Sequence, residues 1–237
     1  MTKMKAILLR VGIDKGCGGA LSPIFKNGTF EYIPIPESDL ETRETRTYQN
    51  TAGRTNRLLS DFLPSKICQN KMHFDPEFET FTYGDPSKSK GKILLKLEKN
   101  DLLVFYAGLT PYQNDKYPTA LYIIGYFIVK KVVSFNELSE EETSTFCNLY
   151  SNNSHIKRYD GLNDLIIVEG DKNKSRLLDK AILISKPQLN KIGRSYHAVS
   201  PEMEKLLGIK GSIQRSIPPR MIRDPKCIEN LKTLLKI

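Results

Sequence analysis

Acid–base chemistry has few possible carriers in this chain. His73, His155 and His197 are its only histidines in 237 residues, and histidine is the side chain whose ordinary pKa lies nearest neutrality. Each stands in a loop-like setting: Met72-His73-Phe74-Asp75-Pro76, Asn152-Asn153-Ser154-His155 and Arg194-Ser195-Tyr196-His197. A second set opens the chain, where Leu8 to Phe25 reads LLRVGIDKGCGGALSPIF. Arg10 and Asp14 are four residues apart, so on a strand they face the same side. One reading is an ion pair at a sheet edge. The other is a site at a strand end in which Arg10 binds an anion and Asp14 acts as base or ligand.

The glycines that follow could turn backbone N–H groups towards phosphate. The familiar phosphate loops are nevertheless missing. GxxxxGK[ST] is absent, Gly16-Cys17-Gly18-Gly19 lacks the GxGxxG spacing, and Ser22-Pro23 stands where that motif needs a helix. Gly18 and Gly19 are then expected to allow positive φ and close backbone approach. His73 sits in a loop stiffened by Asp75-Pro76, and His197 just before a helix start at Ser200-Pro201. The expected catalytic set is therefore Asp14, His73, Asp75 and His197. The expected substrate contacts are Arg10, Gly18, Gly19 and Ser22, with His155 and Arg158 on phosphate and Tyr112 and Tyr117 stacking on a base. Phe105, Tyr106, Tyr122, Tyr126 and Phe127 flank those tyrosines, and Phe105 and Phe127 read as core. No HxH or HExxH spacing supports a metal, so none is expected, and the sequence leaves the cofactor open.

The elements that must position these groups are mostly strands. Lys5–Ile13 is apolar on both faces, as a central strand is. Phe25-Lys-Asn-Gly-Thr-Phe30 carries an Asn-Gly hairpin turn. Asp101–Ala107 and Leu121–Val133 are the clearest strands, with shorter ones at Leu165–Val168 and Ala181–Ile184. Ser134 to Glu137 has capping-box spacing and is expected to open a helix reaching Tyr150. Ser200-Pro201 and Asp224-Pro225 start two more helices, the first ended by Gly208. Strands outnumber helices without regular alternation. The expected fold is α+β with a mainly antiparallel or mixed sheet, or a barrel, and peripheral helices. One domain is expected over 1–237, with barrel strands around 100–185 and a basic helical part over 186–237.

The net charge is +9 and uneven: residues 157–237 hold 17 Lys and Arg against 9 Asp and Glu. Such asymmetry points to a polyanionic partner, namely DNA, RNA or a nucleotide. No run approaches the apolar length of a membrane span, and no signal-peptide pattern opens the chain. Cys17, Cys68, Cys147 and Cys227 lie far apart, which suits a reducing cytoplasm. The sequence leaves the oligomeric state open.

The order of motifs resembles the nucleotide modification associated domain family, third type. R-x-G-x-D-x-x-x-G-G-x-x-S-P-I at 10–24 is followed by P-I-P at 34–36 and H-x-D-P at 73–76. Then come the strands at 100–106 and 123–129, His155, and the Tyr196-His197 to Met203 segment. Nearly the whole chain is covered. Arg10-Val11-Gly12 departs from the commoner Arg-Lys-Gly, Ser154-His155 from Pro-His, and tryptophan is absent. The resemblance implies a role in modifying bases in nucleic acid or nucleotides. A weaker similarity of the paired strands to PUA-like barrels of the EVE and ASCH kind implies a base held in an aromatic-lined pocket. Two functions are thus expected: a base-modifying enzyme with Arg, Asp and His at strand ends, or a non-catalytic reader of modified bases.

Overall fold

The computed structural model describes residues 4–158 and 161–237. Its strands are β1 (Ala6–Arg10), β2 (Ser22–Ile24), β3 (Ile35–Pro36), β4 (Met72–His73), β5 (Thr82–Asp85), β6 (Leu102–Pro111), β7 (Ala120–Ser134), β8 (Ile166–Gly170), β9 (Arg176–Leu183), β10 (Ser185–Leu189), β11 (Ser195–Val199) and β12 (Arg220–Ile222). Its α-helices are α1 (Lys88–Leu94), α2 (Glu140–Leu149), α3 (Pro201–Leu207) and α4 (Pro225–Leu235).

Eight strands form one mixed sheet in the order β12-β1-β6-β7-β8-β5, with β2 also paired to β6 and β9 to β7. β1 and β2 run parallel to β6, and the other pairings are antiparallel. This is the α+β fold with a mixed sheet expected from the sequence. The barrel alternative is corrected. Among the described residues the sheet's two end strands, β12 and β5, pair with no named strand besides β1 and β8, so the path stays open. The segment 186–237 is also not simply helical. Ser185–Leu189 and Ser195–Val199 form an antiparallel hairpin, and Arg220–Ile222 pairs with β1.

β1 is apolar throughout because it lies between β12 and β6, with Ala6 to Leu9 buried. Most of the aromatic supply also goes inwards. Phe105, Tyr106, Tyr122, Tyr126 and Phe127 are at most 2% exposed. Phe105 and Phe127 meet edge to face at 4.7 Å, and Phe78 packs on both. Burial of each such ring stabilises the fold by roughly 1.5–3 kcal/mol, and edge-to-face contacts add about 0.5–1.5.

Two capping-box spacings compete near residue 137. Ser134 is the last residue of β7, paired with Ile166, so only a single 3₁₀ turn follows it. Ser139 caps α2 instead: its hydroxyl accepts the Glu142 N–H while Glu142 accepts the Ser139 N–H. The other helix signals form as the sequence implies. Ser200 and Asp224 cap α3 and α4, each with proline following, and Gly208 closes α3 in the left-handed conformation.

Candidate functional site

The opening stretch folds into a tight turn that Asp14 organises. β1 ends at Arg10, and Ile13 N–H donates to Ile33 O. The Asp14 carbonyl then accepts the N–H groups of Cys17 and Gly19, while its Oδ1 accepts the Gly16 N–H at 2.9 Å. The N–H groups of Gly16, Cys17 and Gly19 are thus spent inside the turn. Gly18 answers a local need: its φ is +100°, and a Cβ there would lie 2.5 Å from the Ile13 side chain. Ser22 is buried, and its hydroxyl accepts the Ile33 N–H, so it pins backbone.

With Oδ1 occupied, Oδ2 of Asp14 faces two guanidiniums. Arg215 Nε donates to it at 2.5 Å, and Arg10 Nη2 lies 3.8 Å away. Arg215 Nη2 also donates to the Gly12 carbonyl. Arg10 is only 10% exposed, and its Nε has no hydrogen-bond partner among the described residues. Burial, and then the charge of Arg215, lower the Arg10 pKa from 12.5 to about 10, so it stays charged near neutrality. One carboxylate therefore serves two cations, which leaves excess positive charge at this point.

Arg10 and Arg215 form the common wall of two cavities. The larger, about 440 Å³, is lined also by Asp14, Lys15, Tyr196, His197 and Gln214. That volume lies in the range of small-molecule sites. The hairpin of β10 and β11 places His197, whose Nδ1 lies 3.2 Å from Ser185 Oγ. Ser185 Oγ already accepts the Leu121 N–H at 2.8 Å, so its proton is free for Nδ1. With the Ser185 hydroxyl donating to Nδ1, neutral His197 carries its proton on Nε2. Burial, and then Arg10, hold the His197 pKa below its ordinary value.

The smaller cavity, about 290 Å³, is lined also by His73, Asp75, Tyr83, Asp85, His155 and Arg158. His73 lies at the end of β4, opposite Ile35. His73 Nδ1 is 2.8 Å from Glu37 Oε2, and Arg158 donates to Glu37 Oε1 at 2.5 Å. Although burial pushes the Glu37 carboxyl up, the bonds from His73, Arg158 and the Asp39 N–H together hold it well below the usual carboxylate range. Asp75 Oδ1 accepts the Gly84 N–H at 2.7 Å. His155 Nε2 lies 3.5 Å from Asp75 Oδ2, and the His73 and His155 rings meet edge to face at 4.6 Å. Buried Asn153 holds this loop by donating to Thr82 Oγ1 and accepting the His155 N–H. Gly84 makes the room: a Cβ there would come within 2.8 Å of the His155 ring. His73, Asp75 and His155 are the described groups whose ligand atoms could share a metal ion, all within 4.8 Å of one another.

Of the residues expected from the sequence, Arg10, Asp14 and His197 meet at one cavity, and Arg10, His73, Asp75, His155 and Arg158 at the other. Gly18, Gly19 and Ser22 shape the turn and line neither cavity. Tyr112 and Tyr117 line neither as well. Tyr112 packs edge to face on Phe25 and Phe62 and accepts from Arg57 Nη1, and Tyr117 covers Gly28. The aromatic side chains that line the cavities are Tyr196 and Tyr83.

Sequence reasoning missed Arg215 and Glu37. Arg215 comes from the loop after α3, where Val199 N–H donates to Gly211 O and buried Ile213 accepts from the Tyr106 hydroxyl. Nothing in its local motif marks it. Glu37 follows P-I-P directly, a signal that was present but unread.

The chain belongs to the nucleotide modification associated domain 3 family, whose model matches residues 5–204. Arg215 lies beyond the matched span. Neither the curated proteins nor the solved structures gave a match. Among the described residues no helix is long and apolar enough to cross a membrane.

Proposed function

We propose that this protein is a base-modifying enzyme that takes a nucleotide unit of a nucleic acid strand into the 440 Å³ cavity. The phosphate lies against Arg10 and Arg215, and the base beside Tyr196 and His197. The observation that carries this reading is the shared wall, where two guanidiniums face one carboxylate and the buried Arg10 Nε has no partner. A buried unpaired donor on a cation is costly, and a phosphate oxygen satisfies it with a charge-assisted bond. In the modifying reaction His197 moves a proton through Nε2, since Ser185 engages Nδ1.

A strand is favoured over a free nucleotide by the β10–β11 hairpin that borders this cavity. Lys186, Lys191 and Arg194 on it are exposed, as are Lys205, Lys210, Arg223 and Lys226 further along the chain. Such cations release counterions on binding phosphates and make affinity fall with salt. The reader alternative needs an aromatic cage, and the tyrosines expected to build one pack elsewhere. The test is mass spectrometry of nucleosides from cells with the protein, without it, and with Arg215→Gln. A modified nucleoside that needs the protein and disappears with Arg215→Gln supports the reading. Identical nucleoside profiles in all three would remove the enzyme reading.

A further inference from the structure

We propose that His73, Asp75 and His155 form a binding site for one divalent transition-metal ion, revising the expectation that no metal is held. The site stands on its own geometry and does not depend on the nucleotide reading.

The ligand atoms are free in the sense that matters. His73 Nδ1 faces Glu37 Oε2 at 2.8 Å, and in the tautomer that donates this bond the Nε2 lone pair is available to a metal. Asp75 Oδ1 is taken by the Gly84 N–H, which leaves Oδ2. His155 Nε2 stands 3.5 Å from that oxygen. Donors bound at about 2.1 Å to one ion lie roughly 3.0–3.4 Å apart, depending on geometry. The Asp75–His155 pair, at 3.5 Å, lies just outside that separation, and the full set, within 4.8 Å, needs side-chain closure. The surroundings match those of a metal site. Glu37 on the far nitrogen of His73 is the carboxylate–histidine arrangement that fixes tautomer and raises ligand basicity. Arg158 in turn holds Glu37.

A pair of simple ion pairs explains the cluster less well. It would put charge on two imidazoles whose rings are 4.6 Å apart, with Arg158 Nη2 3.2 Å from His73 Nδ1. A metal uses both rings in their neutral form. Two imidazole nitrogens and one carboxylate oxygen are donors for Fe(II), Zn(II), Co(II) or Mn(II), and not an oxygen cage for Ca²⁺. Three protein ligands leave coordination positions open to the 290 Å³ cavity, which Arg10 and Arg215 also line. The ion would lie on the other side of the guanidinium pair from the base cavity.

The test uses the full chain, stripped with a chelator and dialysed. CoCl₂, ZnCl₂, MnCl₂ and, without oxygen, Fe(II) are each titrated alone by calorimetry, and the Co(II) absorption spectrum is recorded. We expect saturable binding of one ion per chain and a Co(II) spectrum changed by nitrogen ligation. His73→Ala and His155→Ala should each weaken affinity at least 100-fold. Glu37→Gln should weaken it about 10- to 100-fold without changing stoichiometry. His197→Gln, in the other cavity, should leave metal affinity unchanged. Absence of saturable binding for all four ions would overturn the site, as would full affinity in His155→Ala or loss with His197→Gln. If the histidine variants fail to fold, the wild-type Co(II) spectrum decides: the spectrum of the aquated ion overturns the proposal. Nucleotide titration of the stripped protein is scored separately, so failure of the metal site leaves the phosphate reading standing, and the reverse.

Discussion

Replacing Arg10 with methionine should separate stability from binding. Arg10 is nearly buried, and burial and then the charge of Arg215 lower its pKa from 12.5 to about 10. At about 1.4 kcal/mol per tenfold change, the charged form carries a penalty of roughly 3 kcal/mol. Methionine keeps much of the unbranched chain and removes the charge together with the unpartnered Nε. What is lost is the 3.8 Å contact to Asp14, which Arg215 still neutralises at 2.5 Å. The variant should therefore be as stable as the parent or more stable by about 1–3 kcal/mol in urea unfolding at pH 7. Its affinity for a nucleoside 5′-monophosphate should fall roughly 30-fold or more, the equivalent of one charge-assisted phosphate contact of about 2 kcal/mol. A variant destabilised by 3 kcal/mol that binds normally would show that Arg10 is a structural ion-pair partner, and the reasoning would fail.

His197 should leave a mark on the pH dependence of stability. Its folded pKa is lowered by burial and by Arg10, with Lys15, Arg215 and Asp14 lining the same cavity. The unfolded chain then binds the proton more tightly than the fold. This contribution to stability is full above about pH 6.5 and is lost as the pH falls below it towards the lowered value. His197→Gln should flatten that part of the curve, and matching slopes would refute the assignment. Tyr112→Ala should lower stability by about 2–4 kcal/mol, because the ring packs on Phe25 and Phe62, yet leave nucleotide affinity unchanged; a binding defect in a folded Tyr112→Ala protein would return this tyrosine to the site.

The sequence revealed local signals well and long-range meetings poorly. The helix starts at Ser200-Pro201 and Asp224-Pro225 were legible because a cap and a first-turn proline act within four residues. β1 was legible as a central strand because burial on both faces removes polar alternation. The choice between Ser134 and Ser139 as cap was not, since pairing of Ser134 with Ile166 decided it from 32 positions away. In the site, Arg10, Asp14 and the three histidines stood out by type and rarity. Their division into two cavities did not, because it depends on how residues 212–215 return to Tyr106 and the Gly12–Asp14 turn. Tyr112 and Tyr117 were misplaced for the same reason: proximity in sequence to core aromatics says nothing of which side of a hairpin tip they cover. In the sequence His73 and Asp75 read as catalytic groups; their value as a pair of ligands needs His155, which the Asn153–Thr82 contact delivers.

Phosphate recognition at the Arg10–Arg215 wall is the claim on which the functional reading depends. The most direct measurement is calorimetric titration of the protein with three ligands: a nucleoside, its 5′-monophosphate, and a short single-stranded oligonucleotide, each at low and moderate salt. The account predicts that the nucleoside binds at least 10-fold more weakly than the monophosphate. The oligonucleotide should bind most tightly, with affinity that falls as salt rises. Equal binding of nucleoside and monophosphate, or no binding of either phosphate-bearing ligand, would contradict it.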